Sequence, residues 1–292
     1  MIITVKILNA FIDNNSGGNP AGVVLGADKL NAKQKLSIAK KVGLSETAFV
    51  SKSTLADFKL DFFTPTRQIA HCGHATIAVF SYLAQLGKVS QGWYTKETID
   101  GNRKILIDGD MAYMQQLAPK YTAIKKHHHE VLNSIGVTEQ EVIDSPLLVN
   151  TGNSFVIIGV KNRTIITQLQ LDFEAIASIS KQLDLIGYYV YTNETADKEN
   201  DVSTRMFFPR YGVDEEAATG MAAGPMACYL YDKMGIKKNR FNIEQGYFMP
   251  TPSASKIVID LETVKLPTKG EQIVSLMAGG TANISREIQI EI

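Results

Sequence analysis

Phe62-Phe63-Thr64-Pro65, followed by Cys72-Gly73-His74-Ala75-Thr76, is echoed later in the chain by Phe207-Phe208-Pro209 and Thr219-Gly220-Met221-Ala222-Ala223. In each copy a strand-like stretch closes on aromatic residues and a proline, a short loop follows, and small residues after a glycine open a helix. The spacing predicts helices of nearly equal length that stop at Gly87 and at Gly235. Strand–loop–helix units are common and two can look alike by chance, but the matched openings favour a repeat. A repeat predicts two domains of one ancestry, each with a central helix whose N-terminus points at something.

The surrounding sequence alternates apolar and polar residues. Ile3 to Phe11, Ala21 to Leu25, Phe58 to Phe63, Lys104 to Ile107 and Met111 to Leu117 read as strands, as do stretches around Tyr188 to Tyr191, Val202 to Phe208, Phe241 to Glu244, Lys256 to Leu261 and Ile284 to Ile290. Asp108-Gly109-Asp110 reads as a hairpin turn. A helix is expected from Asn31 to Val42, capped by Asn31 with Gln34 three residues on and stopped by Gly43. Asp172 caps another running to about Leu183, and Thr138-Glu139-Gln140-Glu141 reads as a capping box opening a short helix. Strands separated by turns with few βαβ alternations predict α+β with largely antiparallel sheets. No Gly-x-Gly-x-x-Gly turn argues for a dinucleotide fold.

At 292 residues, two domains are the natural expectation. Thirty basic residues balance thirty acidic ones, which gives no electrostatic reason to expect nucleic acid or an anionic membrane as partner. No apolar run approaches the ~20 residues of a membrane span, and the first residues lack the pattern of a signal peptide. Cys72 and Cys228 are too few for a disulfide framework, so we expect a soluble, cytoplasmic protein.

A helix N-terminus is a ready anion site, and glycine or alanine there lets a ligand approach the backbone closely. Two such termini facing each other across a domain cleft would grip a small carboxylate. Neither carries the Gly-Lys-Ser/Thr ending of a phosphate loop. His74, in the first turn, is expected neutral because the helix dipole disfavours imidazolium; a structural histidine tied to a backbone carbonyl is the equal alternative. Glu46, in Leu44-Ser45-Glu46-Thr47-Ala48-Phe49-Val50, is a candidate general base if its apolar neighbours desolvate it. The ordinary reading is a solvated glutamate at a strand end. Asp214-Glu215-Glu216 before the second helix either complements the dipole or supplies a carboxylate to the cleft. His127-His128-His129 reads as an exposed loop run rather than a metal trap, because neighbouring residues of a helix or strand do not face one ligand. His71, Cys72 and His74 lack a second ligand cluster, so no metal is expected, and Cys228 reads as core.

These residues also carry a family resemblance. Gly18-Asn19-Pro20-Ala21-Gly22-Val23-Val24-Leu25, Leu44 to Val50, Phe63-Thr64-Pro65 and Cys72 to Thr76 resemble, in order and spacing, the N-terminal half of PhzF-like (phenazine-biosynthesis) proteins. Tyr211-Gly212-Val213 through Ala217-Ala218-Thr219-Gly220-Met221-Ala222-Ala223-Gly224-Pro225 resembles the C-terminal signature, with Gln245-Gly246, Pro252-Ser253 and Gly279-Gly280 as later landmarks.

The resemblance implies the diaminopimelate-epimerase fold: two similar domains, each a mostly antiparallel β-barrel-like sheet around a central helix. We place them at residues 1–118, completed by the last strand at 281–292, and at 119–280. It further implies a homodimer and an active site between the halves. The implied activity is a cofactor-independent isomerase shifting a proton, by double-bond isomerisation or epimerisation, on a small carboxylate-bearing metabolite. Glu46 would take the proton from carbon and return it elsewhere, assisted by His74 and Glu216. Asn19, Gly73, Ala75, Gly220, Met221 and Ala222 would bind substrate.

Three positions depart from the family pattern. Glu216 stands where aspartate is usual, Met221 where serine usually follows the glycine, and Thr251 where arginine is common. A non-catalytic carboxylate-binding protein on the same fold is therefore the alternative. A two-cysteine racemase mechanism is not expected, because Cys72 matches the first thiol and Thr219-Gly220 offers no second.

Overall fold

In the computed structural model, described over residues 1–267 and 270–292, the chain divides into two compact units. The first comprises Met1–Gln115 and Gly279–Ile292, the second Gln116–Ala278.

The two units share one order of strand pairing. In the first, neighbouring strands run Ala282–Glu291, Ile2–Ala10, Asn19–Leu25, Thr47–Ser51, Phe58–Phe63, Gly92–Thr98 and Gly101–Asp108. Their successive pairings are antiparallel, antiparallel, parallel, antiparallel, parallel and antiparallel. In the second, the order is Lys120–Ala123, Leu147–Asn150, Ser154–Gly159, Gly187–Thr192, Val202–Phe208, Arg240–Gln245 and Ser255–Leu266. The same six pairing senses recur in the same sequence. Each unit adds a short antiparallel strand before its central helix: Gln68–Ile69 on Phe58–Phe63, and Val213–Glu216 on Val202–Phe208. Both units are mixed α+β and mostly antiparallel.

The central helices, Gly73–Gln85 and Gly220–Asp232, are 13 residues each. They are buried all round from Gly73 to Leu83 and, apart from half-buried Met221, from Gly220 to Tyr231. A helix apolar on every side has to lie inside a sheet. Capping sets the other helices. Asn31 and Gln34 form a reciprocal capping box on Ala32–Val42, and Gly43 closes that helix at φ 71°. Asp172 accepts from the Ala175 N–H at the start of Phe173–Gln182.

Two local expectations are corrected. Thr138–Glu141 makes one of its two box contacts, the Glu141 carboxylate accepting from the Thr138 N–H at 2.9 Å; the Thr138 hydroxyl donates to the same carboxylate at 2.7 Å, the Glu141 N–H goes to Thr138 O, and the segment forms a turn rather than a helix. The backbone that would continue a helix is drawn to a sheet edge: Lys161 N–H donates to Glu141 O, and Ile143 N–H to Gly159 O. The histidine run is not a loop; His128 and His129 begin the helix His128–Ser134. Among the described residues no helix is long and apolar enough to cross a membrane.

Candidate active site

In the first unit, strand Thr47–Ser51 and helix Gly73–Gln85 bring Glu46, Cys72 and His74 together. Glu46 directly precedes the strand, where its carbonyl accepts from the Gly22 N–H at 3.0 Å. It is buried, 8% exposed, so the solvated strand-end reading is overturned. Side chains alternate along a strand, so Glu46 lies on the opposite face from Phe49, which packs on the helix Ala32–Val42; the carboxylate meets His74 of the central helix instead.

His74 is 4% exposed. Its Nε2 stands 3.3 Å from Glu46 Oε2 and its Nδ1 3.6 Å from Cys72 Sγ. The imidazole thus links a carboxylate to a thiol. Burial pushes the Cys72 thiol up, with the His74 imidazole acting in the opposite sense. The tautomer sets the roles in this contact: a thiol that donates to Nδ1 puts the ring hydrogen on Nε2, on the Glu46 side. The Ala75 amide acts on the thiol in the same sense as His74. Donor atoms of Glu46, Cys72 and His74 all lie within 4.8 Å of one another, which makes them the residues here able to meet a metal.

His71 takes no part in that group. Its Nε2 contacts Met114 Sδ at 3.0 Å and its Nδ1 faces Lys96 Nζ at 3.1 Å. Lys96 is wholly buried; it also donates to Thr76 Oγ1 at 2.5 Å, and Thr76 in turn donates to Cys72 O at 2.6 Å. Burial, opposed by the Cys72 and Asp100 charges, holds the Lys96 ammonium down at about 7. Burial and the charges of Lys96 and Arg103 hold His71 well below the usual imidazole range.

In the second unit, Glu216 ends strand Val213–Glu216 and is buried. The Thr219 hydroxyl donates to Glu216 Oε2 at 2.5 Å. Gln245 fixes both residues. Its Nε2 donates to Glu216 O at 2.6 Å and to Thr219 Oγ1 at 3.2 Å, while its Oε1 accepts from Thr219 N–H at 3.0 Å and Tyr189 O–H at 2.9 Å. Every donor and acceptor of the amide has a matching partner, so one orientation alone satisfies them all. Gly246, at φ 81°, lets the following backbone pass close by: a Cβ there would lie 2.1 Å from Ser253 O and 2.9 Å from Ala217 O. Glu215, by contrast, is turned to Arg205, which binds it bidentately at 2.7 and 2.8 Å.

The remaining sequence candidates are placed as follows. Asn19 is buried at the head of strand Asn19–Leu25, opposite Ala10. Gly73 and Gly220 open their helices without a side-chain cap. The Ala222 N–H is engaged by Thr219 O at 3.0 Å. The Met221 sulfur accepts from Asn153 Nδ2 at 3.5 Å. Gln116 donates to Gly220 O at 2.8 Å and accepts from the Thr151 hydroxyl at 2.7 Å, bracing that helix start. Thr251 is exposed. Cys228 is core, as expected.

Sequence reasoning missed Lys96, Gln116 and the role of Gln245. Gln245 carried a signal as part of the Gln245-Gly246 landmark; a lysine and a glutamine inside strands carried none.

Comparison with known proteins places this geometry among relatives. The model of the family described as "Phenazine biosynthesis-like protein" matches residues 8–286. The chain is 32% identical over 231 residues to the uncharacterized isomerase YddE of Escherichia coli O157:H7, covering 76% of this chain and 77% of that protein. It is 29% identical over 257 residues to trans-2,3-dihydro-3-hydroxyanthranilate isomerase of Pseudomonas chlororaphis, covering 85% and 87%. The crystal structure of the Bacillus anthracis phenazine biosynthesis protein of the PhzF family superposes with a TM-score of 0.88 at 27% identity, covering all of both chains.

Proposed function

This chain belongs to the phenazine biosynthesis-like protein family and is an isomerase, and we propose that it moves a proton between two carbons of a small carboxylate-bearing metabolite without a cofactor. The supporting observation is the buried Glu46 carboxylate held against His74 at 3.3 Å, one residue before a strand. Glu46 removes a proton from a carbon next to the conjugated system. The electron pair delocalises toward the substrate's unsaturation, and the protonated carboxyl returns that proton, or a solvent proton exchanged for it, to a second carbon. Atoms and charge balance, and no oxidant or reductant enters.

His74 orients the carboxylate and stabilises its ionised form through Nε2–H. Glu216 assists, held in one position by Thr219 and Gln245. Each unit offers helix-start amides for a carboxylate, Gly73 and Ala75 in the first and Gly220 and Met221 in the second, with Asn19 as a further polar contact. The Ala222 amide is already directed at Thr219 O, and we assign it no ligand.

The relative from Pseudomonas chlororaphis is named for an unsaturated ring bearing amino, hydroxyl and carboxylate groups, and this guides the choice of test compounds. Proton NMR in D₂O containing EDTA follows a panel of unsaturated cyclic and amino carboxylic acids with the native protein. We expect a carbon-bound proton of one compound to move or exchange at a protein-dependent rate. Binding of a panel member with neither a shift nor an exchange of any carbon-bound proton overturns the reading in favour of a binding protein.

A further inference from the structure

Away from Glu46 and Glu216, three donor-bearing side chains converge within the second unit. His128 and His129 begin one helix, and Glu139 lies on the turn that follows it. Adjacent residues on a helix are rotated by about 100° from one another, yet these two rings meet edge to face with centroids 5.4 Å apart. One carboxylate oxygen, Glu139 Oε1, stands 2.5 Å from His128 Nε2 and 3.3 Å from His129 Nδ1. Donor atoms of all three residues lie within 4.8 Å of one another.

Two imidazoles and a carboxylate are the donor set of Zn²⁺ and its first-row neighbours. With metal–ligand bonds of about 2.0–2.2 Å, tetrahedral ligands sit about 3.3 Å apart. His129 and Glu139 are already at 3.3 Å, and His128 and Glu139 need to open by roughly 0.8 Å from 2.5 Å. Glu139, half exposed, has the freedom to do so.

The backbone beneath the donors is fixed. Glu141 locks the turn through Thr138, and Lys161 N–H binds Glu141 O. All three donors line one cavity of about 550 Å³, together with Asp144, Tyr229 and Lys233. That cavity leaves room for water or a ligand at the remaining coordination positions.

We propose that His128, His129 and Glu139 form a surface site for one borderline divalent cation of the Zn²⁺ class, with its open coordination facing the cavity. The site is independent of the proton-transfer chemistry assigned to Glu46.

Calorimetry of the untagged protein with ZnCl₂ tests it. We expect one equivalent bound, a melting temperature that rises with Zn²⁺, and affinity at least tenfold weaker in His128→Gln and in Glu139→Gln. Both replaced side chains reach the surface, and Glu139→Gln keeps the shape of the original, so native melting without Zn²⁺ confirms folding. Cys72→Ser should bind as native does. Absence of uptake overturns the proposal. So does uptake unchanged in both Gln variants, or uptake lost in Cys72→Ser instead, which assigns the ion to Glu46, Cys72 and His74.

Discussion

Thr219 donates its hydroxyl to Glu216 Oε2 at 2.5 Å, and the donor is the residue that caps the helix Gly220–Asp232. The contact ties the end of a strand to the start of a buried helix. It also fits a glutamate: shortening the side chain by one carbon withdraws its oxygen by more than an ångström. Glu216→Asp is therefore expected to lower turnover by about tenfold to a hundredfold, although aspartate is the commoner family residue. Thr219→Val should give a loss of the same order with little change in KM. Steady-state kinetics of both variants checks this; an Asp variant faster than native contradicts it.

Gln245 carries four hydrogen bonds in a site closed to solvent, so its replacement leaves groups unsatisfied rather than merely removing contacts. Gln245→Leu strands the Thr219 N–H, the Tyr189 hydroxyl and the Glu216 carbonyl. At about 1–3 kcal/mol for each group, a loss of about 3 kcal/mol or more is expected in urea unfolding.

Arg205 and Glu215 form a buried bidentate pair, with a further bond from Arg205 to Ile166 O at 3.0 Å. Arg205→Met leaves an uncompensated carboxylate and should cost about 3–5 kcal/mol. Glu215→Gln added to it removes that charge, so the double variant is expected to be more stable than Arg205→Met alone. A double variant no more stable than the single contradicts the pairing energetics.

Lys96 makes the pH dependence specific. Its folded-state value, about 7, lies below the ordinary 10.5, so the unfolded chain binds more protons between those limits. Stability contributed through this group rises with pH across that window, by roughly 1.4 kcal/mol per unit, and the penalty is complete below about 7. Lys96→Met loses the bonds to His71 and Thr76 at every pH but escapes the penalty. Relative to native protein it should be more stable at pH 6 than at pH 9, by chemical denaturation. A stability difference independent of pH contradicts the buried-ammonium account.

The sequence was most legible where short-range chemistry decides structure. Asn31, Gln34 and Gly43 bound a helix through contacts within a few residues, and the aromatic–proline–glycine echo located both central helices. Thr138–Glu141 misled because only the Glu141 arm of its box formed and the sheet edge at Val160 took the backbone. In Gly92–Thr98 composition points the wrong way: Trp93 is 58% exposed while Lys96 is buried, because the partners His71 and Thr76 lie 25 and 20 residues away in sequence. Glu46 and Glu216 could be named as carboxylates, but their burial depends on tertiary neighbours, such as Gln245, 29 residues beyond Glu216. The histidine run reads as loop in sequence, yet His128 and His129 open a helix that carries no side-chain cap to announce it.

The central claim rests on Glu46 as the base. Its most direct test is Glu46→Gln, which keeps the volume and the 3.3 Å approach to His74 Nε2 while removing the proton acceptor. With the panel compound that exchanges most rapidly in D₂O, the account predicts native melting temperature, retained binding and exchange reduced by at least a thousandfold. Exchange at the native rate in a folded Glu46→Gln variant would contradict it.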